Sequence, residues 1–364
     1  MLTRSVVVLV SLLLALTGVA LAANAAPVRQ ATDWELLDGP SAPIIQLWAL
    51  PDGTVFAADG DHALYSSADL GATWQAIAPP AGGWATAPDP IDAATVYGAA
   101  SAGLFKSTDG GASWTLIRPA ATAVTDVTIS GLRLAISPAD NQVLYLVEPL
   151  ASLDPSSIVR STDGGASWVK ATDISRAGSP CGTLVSILIA HPLDPQRVFS
   201  NMGCYAGRNF GQRVSQSFDQ GTTWSTVFRD GQGLSPRLLI GGGGGDPSRF
   251  YLTTSPFMGG SAARLYRSDD DAANWTEVLE GGDPQSTRFG GLAYDPDQPD
   301  TVFVATGPTP NPDDTGVRAT WDGGQTWAFF GRQDIGWVNS LVRAPDGTLL
   351  AATNEGIWRL AAGY

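Results

Sequence analysis

The chain has 364 residues, with 21 basic and 35 acidic side chains and a formal net charge of −14. Hydrophobic residues make up 44% and charged residues only 15%, which argues against a disordered chain or a coiled coil. The negative charge argues against nucleic acid or an anionic membrane as partner. The 42 glycines and 25 prolines break long helices and favour short strands joined by tight turns.

The N-terminus has the pattern of an export signal. Arg4 is followed by an uncharged stretch over 5–23, apolar at its centre, and by the small-residue sites Ala20-Leu21-Ala22 and Ala23-Asn24-Ala25. Residues 1–25 are expected to be a signal peptide, 26–32 a linker and 33–364 a single domain. An uncleaved anchor is the other reading, weakened by the shortness of the apolar run. No other segment is long and apolar enough to span a bilayer, so no stable membrane span is expected after cleavage. A secreted or extracytoplasmic protein, at the periplasm or cell surface and monomeric, is expected. In an oxidising compartment Cys181 and Cys204, the only cysteines, make either a disulfide or two buried thiols.

One pattern, Ser-x-Asp-x-Gly-x-(Ser/Thr)-Trp, recurs along the chain. It begins with Ser67-Ala68-Asp69-Leu70-Gly71-Ala72-Thr73-Trp74 and returns at Ser107–Trp114, Ser161–Trp168, Ser217–Trp224 and Thr320–Trp327. A degraded copy is Ser268-Asp269-Asp270-Asp271-Ala272-Ala273-Asn274-Trp275. The tryptophans are spaced by roughly 40 to 56 residues, the length of a supersecondary repeat. The pattern suits a hairpin turn. The Asp carboxylate accepts backbone N–H groups, Gly supplies a positive φ, and Trp anchors the next strand. Asp69, Asp109, Asp163, Asp219, Asp270 and Asp322 are therefore given structural roles.

The flanks repeat as well. Short strands precede each turn, such as Ala63-Leu64-Tyr65 and Gly103-Leu104-Phe105, and β-rich runs such as Thr54-Val55-Phe56 and Thr301-Val302-Phe303 come before those. An apolar strand leading into a Pro/Asp turn starts each unit. Each unit thus holds strands a to d, with the repeated turn joining c to d, and four-stranded units of about 40–50 residues are propeller blades. After the sixth turn the chain has three more strands and no fourth. Asp33-Trp34-Glu35-Leu36-Leu37 resembles a d strand, so the N-terminal strand is expected to complete the last blade. The expected fold is an all-β seven-bladed propeller.

These repeats resemble Asp-box (BNR-type) repeats, and residues 33–364 resemble secreted Asp-box propellers. Those include sialidases, the sortilin receptor, xyloglucanase-type glycoside hydrolases and photosystem II assembly factors. The resemblance is specific for fold and weak for function. A sialidase relation implies an Arg cluster, a Tyr/Glu nucleophile pair and an acid Asp. Its Arg-Ile-Pro signature is absent, and the matching strand reads Pro43-Ile44-Ile45-Gln46-Leu47-Trp48. Arg133, Arg237 and Arg288 do fall on inner strands, where they suit either a ligand or salt links within the channel. A xyloglucanase relation implies two carboxylates facing across a cleft between two propellers. This chain has one propeller, and Asp313, Asp314 and Asp334 are its candidate carboxylates.

In a propeller the d–a and b–c loops share one face, and the repeated turns lie on the other. Both cysteines map to the first face, which favours the disulfide. That face is expected to carry long b–c loops in blades 3 to 6. The loop over 201–212 holds Tyr205, Arg208, Asn209 and Phe210, and the next holds Phe257 and Met258. Trp84 and Trp337 lie near d–a loops of the same face. Aromatic and Arg content suits recognition, and equally suits covering neighbouring blades. No metal or cofactor is expected. The only histidines, His62 and His191, lie in different blades, and the glycines at 241–245 lack the Lys-Ser/Thr of a phosphate loop. The expectation is a non-catalytic binding or scaffolding module for a protein, peptide or surface glycan. A glycoside hydrolase is the alternative, and a photosystem-assembly-like propeller the second alternative.

Overall fold

A computed structural model describes residues 34–120, 133–148, 157–173, 183–206, 209–229, 234–241, 246, 248–256, 262–281, 289–295, 297–306, 316–330 and 335–360. These form seven four-stranded antiparallel sheets and no helix. The first strand, β1 (Glu35–Leu36), belongs to the last blade. Blade 1 is β2 (Ile44–Ala49), β3 (Val55–Asp59), β4 (Leu64–Ser67) and β5 (Gln75–Ile77). Blade 2 is β6 (Gly83–Pro88), β7 (Val96–Ala100), β8 (Gly103–Ser107) and β9 (Thr115–Pro119). Blade 3 is β10 (Arg133–Ile136), β11 (Leu144–Glu148), β12 (Ser157–Ser161) and β13 (Val169–Asp173). Blade 4 is β14 (Thr183–Ala190), β15 (Val198–Ala206), β16 (Asn209–Ser217) and β17 (Ser225–Arg229). Blade 5 is β18 (Leu234–Gly241), β19 (Phe250–Pro256), β20 (Arg264–Ser268) and β21 (Thr276–Glu280). Blade 6 is β22 (Phe289–Asp295), β23 (Gln298–Thr306), β24 (Gly316–Thr320) and β25 (Ala328–Phe329). Blade 7 is β26 (Val338–Arg343), β27 (Leu349–Thr353) and β28 (Gly356–Leu360), with β1 on its outer edge.

The second strand of each blade reads as a nearly unbroken apolar run because both of its faces are covered. In β3, Val55 and Ala57 pack with Leu350 and Ala352 of blade 7, while Phe56 and Ala58 pack with Val96 of blade 2. The same alternation repeats around the molecule. Seven apolar layers result, one at each junction between neighbouring blades, and the layer between blades 7 and 1 closes the ring. The junction of blades 6 and 7 is especially close. A Cβ on Gly290 would stand 1.8 Å from the Val338 carbonyl oxygen, so only glycine fits there.

The six repeated turns share one hydrogen-bond set. At the second copy the Ser107 hydroxyl donates to Asp109 Oδ1 at 2.7 Å and accepts from the Gly111 N–H at 2.8 Å. The Ser113 N–H donates to Asp109 Oδ1 at 2.9 Å, and its hydroxyl to Oδ2 at 2.6 Å. The copy that looks degraded in the sequence keeps every bond. The Asn274 amide replaces a hydroxyl on Asp270 Oδ2, and Ala272 takes the glycine position at φ 66°. These turns also press on the blade before them. A Cβ on Gly111 would lie 2.4 Å from Ile77, and one on Gly165 2.6 Å from Ile117, both on the preceding outer strand. The Trp114, Trp275 and Trp327 indole N–H groups donate to Ala78, Val227 and Val278 of those same outer segments.

Ring closure follows the expected route. β1 pairs with β28 in the register Glu35↔Arg359 and Leu36↔Trp358, and an Arg359–Glu35 ion pair of 2.8 Å lies across it. Trp34, only 4% exposed, shares a core layer with Trp358. Removing that indole takes away a large part of the seam. Trp34→Ala is expected to cost about 3–5 kcal/mol, read as a lowered urea midpoint with the spectroscopic signature of the folded ring retained in buffer.

The turn carboxylates also set an acid limit. Hydrogen bonds from the residue four positions on hold Asp69, Asp109 and Asp163 down at about 2. Asp270 is lowered in the same way by Asn274. At Asp219 and Asp322 desolvation opposes the shift and is outweighed by bonds from Thr223 and Thr326. These folded-state values lie below the usual carboxylate range of about 3.9. The turns therefore contribute their stability above roughly pH 4 and lose it as pH falls towards about 2. The urea midpoint is expected to drop across that window. Asp109→Asn is expected to lower the midpoint at neutral pH and to make the acid drop shallower.

Candidate functional site

The two faces of the ring differ. On one, the repeated c–d turns and the described parts of the a–b turns are tied by side-chain caps. His191 is one of these caps: its Nδ1 accepts the N–H groups of Leu193 and Asp194, both at 3.1 Å, as Asp89 and Ser137 do in blades 2 and 3. Burial, and then Arg197, push its pKa below the ordinary histidine value. His191 is thus a turn residue, held between Phe199 and Phe250. Among the described residues no group of three or more His, Cys, Asp or Glu could hold a metal.

The opposite face carries free functional groups. At the junction of blades 7 and 1, Asn339 Nδ2 donates to the Ile44 carbonyl at 2.8 Å and to Asn354 Oδ1 at 3.1 Å. Ser340 Oγ accepts the Leu47 N–H at 3.1 Å. This polar seam fixes the starts of both inner strands. Trp337 stands half-buried immediately before β26. Beside it, in the b–c turn of blade 7, the Glu355 N–H donates to Thr353 Oγ1, and the Glu355 side chain is exposed. The Glu355 carboxylate lies 3.9 Å from where a Cβ on Gly336 would stand, next to Trp337.

Blade 1 presents a second carboxylate to the same face. Buried Asp59 accepts the N–H groups of Asp61 and Ala63, both at 2.9 Å, and the Tyr65 hydroxyl at 3.1 Å. Desolvation, and then the Asp59 hydrogen bond, raise the Tyr65 pKa. Asp59 is occupied in shaping the loop, and it leaves Asp61 exposed. A half-buried indole with two exposed carboxylates on neighbouring turns suits sugar stacking and proton transfer. Sequence reasoning overlooked Asp61 and Glu355. Each sits in a short b–c turn outside any repeated motif, so no pattern in the sequence marks it.

The expected long loop over 201–212 is instead a β-hairpin. β15 and β16 pair residue by residue from Val198↔Ser217 out to Ala206↔Asn209. Tyr205 pairs with Phe210, and Asn209 with Ala206, so these residues are on strands rather than in a loop. The polar and aromatic composition resembles a loop, but continuous cross-strand bonding satisfies the backbone more fully. At about 3.3 Å per residue, the four pairs beyond the blade 3 hairpin carry the chain about 13 Å further out. Trp84 is the second residue of β6, paired with Ala99, next to the d–a loop. Arg133 and Arg237 sit on the inner strands β10 and β18, Arg237 at a register shift. Cys204 is on β15, where it pairs with Thr183. Cys181, Arg208, Phe257, Met258, Arg288, Asp313, Asp314 and Asp334 lie outside the described residues, as do the expected signal peptide and linker.

Comparison with known proteins adds a direction. No family model matches the chain. A xyloglucanase from Paenibacillus sp. is 27% identical over 216 residues, covering 54% of this chain and 20% of that protein. The xyloglucanase Xgh74A of Acetivibrio thermocellus is 26% identical over 220 residues, covering 54% of this chain and 25% of its own. The chain thus matches about a fifth to a quarter of the length of these relatives. Among solved structures, the GH74 xyloglucanase from Xanthomonas campestris superposes with a TM-score of 0.66 at 22% identity, covering 90% of this chain and 53% of that one. YCF48 from Cyanidioschyzon merolae, at 14% identity and a TM-score of 0.56, covers 90% and 97%. At these identities the superpositions show the seven-bladed fold. The sequence relatives are hydrolases, and this overturns the expectation of a non-catalytic binding or scaffolding module in favour of the glycoside hydrolase alternative.

Proposed function

We propose that the chain is a propeller of the glycoside hydrolase type, acting on xyloglucan or a closely related glucan on the face that carries Trp337. The observation that carries this reading is the sequence similarity to xyloglucanases over more than half of the chain. The exposed carboxylates of Asp61 and Glu355 are the described groups that fit it. Glycosidase chemistry uses one carboxyl group to protonate the leaving oxygen and a second as base or nucleophile. A stacked indole would hold a sugar ring above them. An extracytoplasmic location accords with a polysaccharide substrate.

The purified full chain is expected to release reducing ends from xyloglucan. Glu355→Gln or Asp61→Asn is expected to slow release by about 100-fold or more while leaving the folded spectrum intact. A folded chain that releases none from xyloglucan or from unbranched glucan overturns the reading.

The long hairpin of blade 4 rises from the same face, and a Cys181–Cys204 bridge belongs to this proposal. Thr183, two residues after Cys181, pairs with Cys204. A disulfide there would pin the hairpin to the inner strand and contribute about 2–4 kcal/mol. Intact mass is expected to rise by two hydrogens on reduction, together with a fall in the urea midpoint; an unchanged mass rejects the bridge.

A further inference from the structure

The outer strands of blades 4 and 5 are built on one pattern. In both, the c and d strands meet with the same register shift, after Val214 in blade 4 and after Leu265 in blade 5. Arg213 and Arg264 occupy the same place, four residues before the first residue of the repeated turn. In blade 5, Arg264 faces Glu280 across the strands. Its guanidinium donates to Glu277 at 3.0 Å and to Glu280 at 3.2 Å. In blade 7 the outer strand also answers an arginine with a carboxylate, Arg359 with Glu35.

Blade 4 breaks that rule. The positions of Glu277 and Glu280 are taken by Thr226 and Arg229, and Arg213 faces Arg229 directly. Side chains directly opposite on an antiparallel pair lie on the same side of the sheet, and like charges there repel. Arg213 is half-buried and Arg229 exposed. Among the described residues neither guanidinium has an ion-pair partner or hydrogen-bond acceptor, and Arg213 Nε is buried without one. Burial, and then Arg229, lower the Arg213 pKa. In a chain of net charge −14, two facing arginines with no carboxylate partner among the described residues are a local exception. Arg213 on β16 and Arg229 at the end of β17 face each other where the long hairpin leaves the body of the blade on the Trp337 face.

We propose that Arg213 and Arg229 form a carboxylate receptor at the rim of blade 4, which takes the uronic acid unit of an acidic glycan into the place that Glu277 and Glu280 fill in blade 5. Blade 5 supplies the template: two carboxylate contacts to one guanidinium in the same strand geometry. A planar carboxylate accepts paired N–H donors from arginine, and bridging two guanidiniums removes their repulsion. Thr226 is exposed and shorter than the glutamate that stands at its place in blade 5. The choice of a glycan as carrier rests on the carbohydrate reading above.

Affinity electrophoresis of the full chain tests this, with polygalacturonate, poly-glutamate or neutral xyloglucan in the gel. Wild type is expected to be retarded by polygalacturonate, with an apparent Kd that weakens as salt is raised. Arg229→Glu and the double change Thr226→Glu with Arg229→Glu are expected to weaken it at least tenfold. The double variant rebuilds the blade 5 arrangement, so its urea midpoint is expected at or above that of wild type, which separates lost binding from lost folding. The proposal is overturned if wild type is not retarded, if Arg229→Glu is retarded equally, or if poly-glutamate retards wild type as strongly. The gel reads binding alone. A chain inactive on xyloglucan but retarded by polygalacturonate would fail the hydrolase reading and keep this one.

Discussion

Each blade is held in place by the turn of the blade that follows it. The Ser–Asp–Ser/Thr hydrogen bonds fix a tight c–d hairpin, and the glycine inside that hairpin lies against an apolar side chain of the preceding outer strand. The indole that ends the turn often donates to a carbonyl of the same strand or the segment just after it. An outer strand would otherwise be a weakly held edge. A local turn motif thus becomes a contact between blades, and repetition turns that contact into a ring. Cations strengthen the stitching. Lys106 donates to the Gly164 carbonyl and Arg160 to the Gln220 carbonyl, each from one blade to the turn of the next.

The seam obeys the same physics with different residues. Blade 7 has no c–d turn, because its outer strand comes from the other end of the chain. Leu37 then does for the turn at Gly71 what Ile77 does for the turn at Gly111. The closing strand is only two residues long, yet Trp34 and Leu37 on its flanks are buried in two different core layers. Apolar packing at both ends, more than backbone pairing, keeps the ring shut.

Division of labour between the faces follows from this. The turn face is committed to holding neighbours together, and even its buried histidine serves as a cap. The other face is free to vary in hairpin length and side-chain chemistry, as the contrast between the two-residue turn of blade 7 and the nine-pair hairpin of blade 4 shows. A hydrolase reading and a carboxylate receptor can share that face because the scaffold asks little of it.

The number of blades, the position of each repeated turn and the origin of the closing strand can all be read from the sequence. All of these rest on short-range patterns: turn chemistry within eight residues and alternation along single strands. Which polar side chains stay exposed on neighbouring turns is settled by the folded ring. Asp61 and Glu355 are nearly 300 residues apart and come to neighbouring turns because the ring closes. Arg213 and Arg229 meet because a bulge sets their register, and their lack of a carboxylate partner among the described residues stands out only beside the same position in blade 5. The residues over 201–212 carry weak strand propensity and suit a loop in the sequence, whereas pairing across nine positions outweighs propensity. Patterns of period two and of turn type are local and legible. A site is a meeting of distant side chains, and that meeting depends on registers and closures that no single segment encodes.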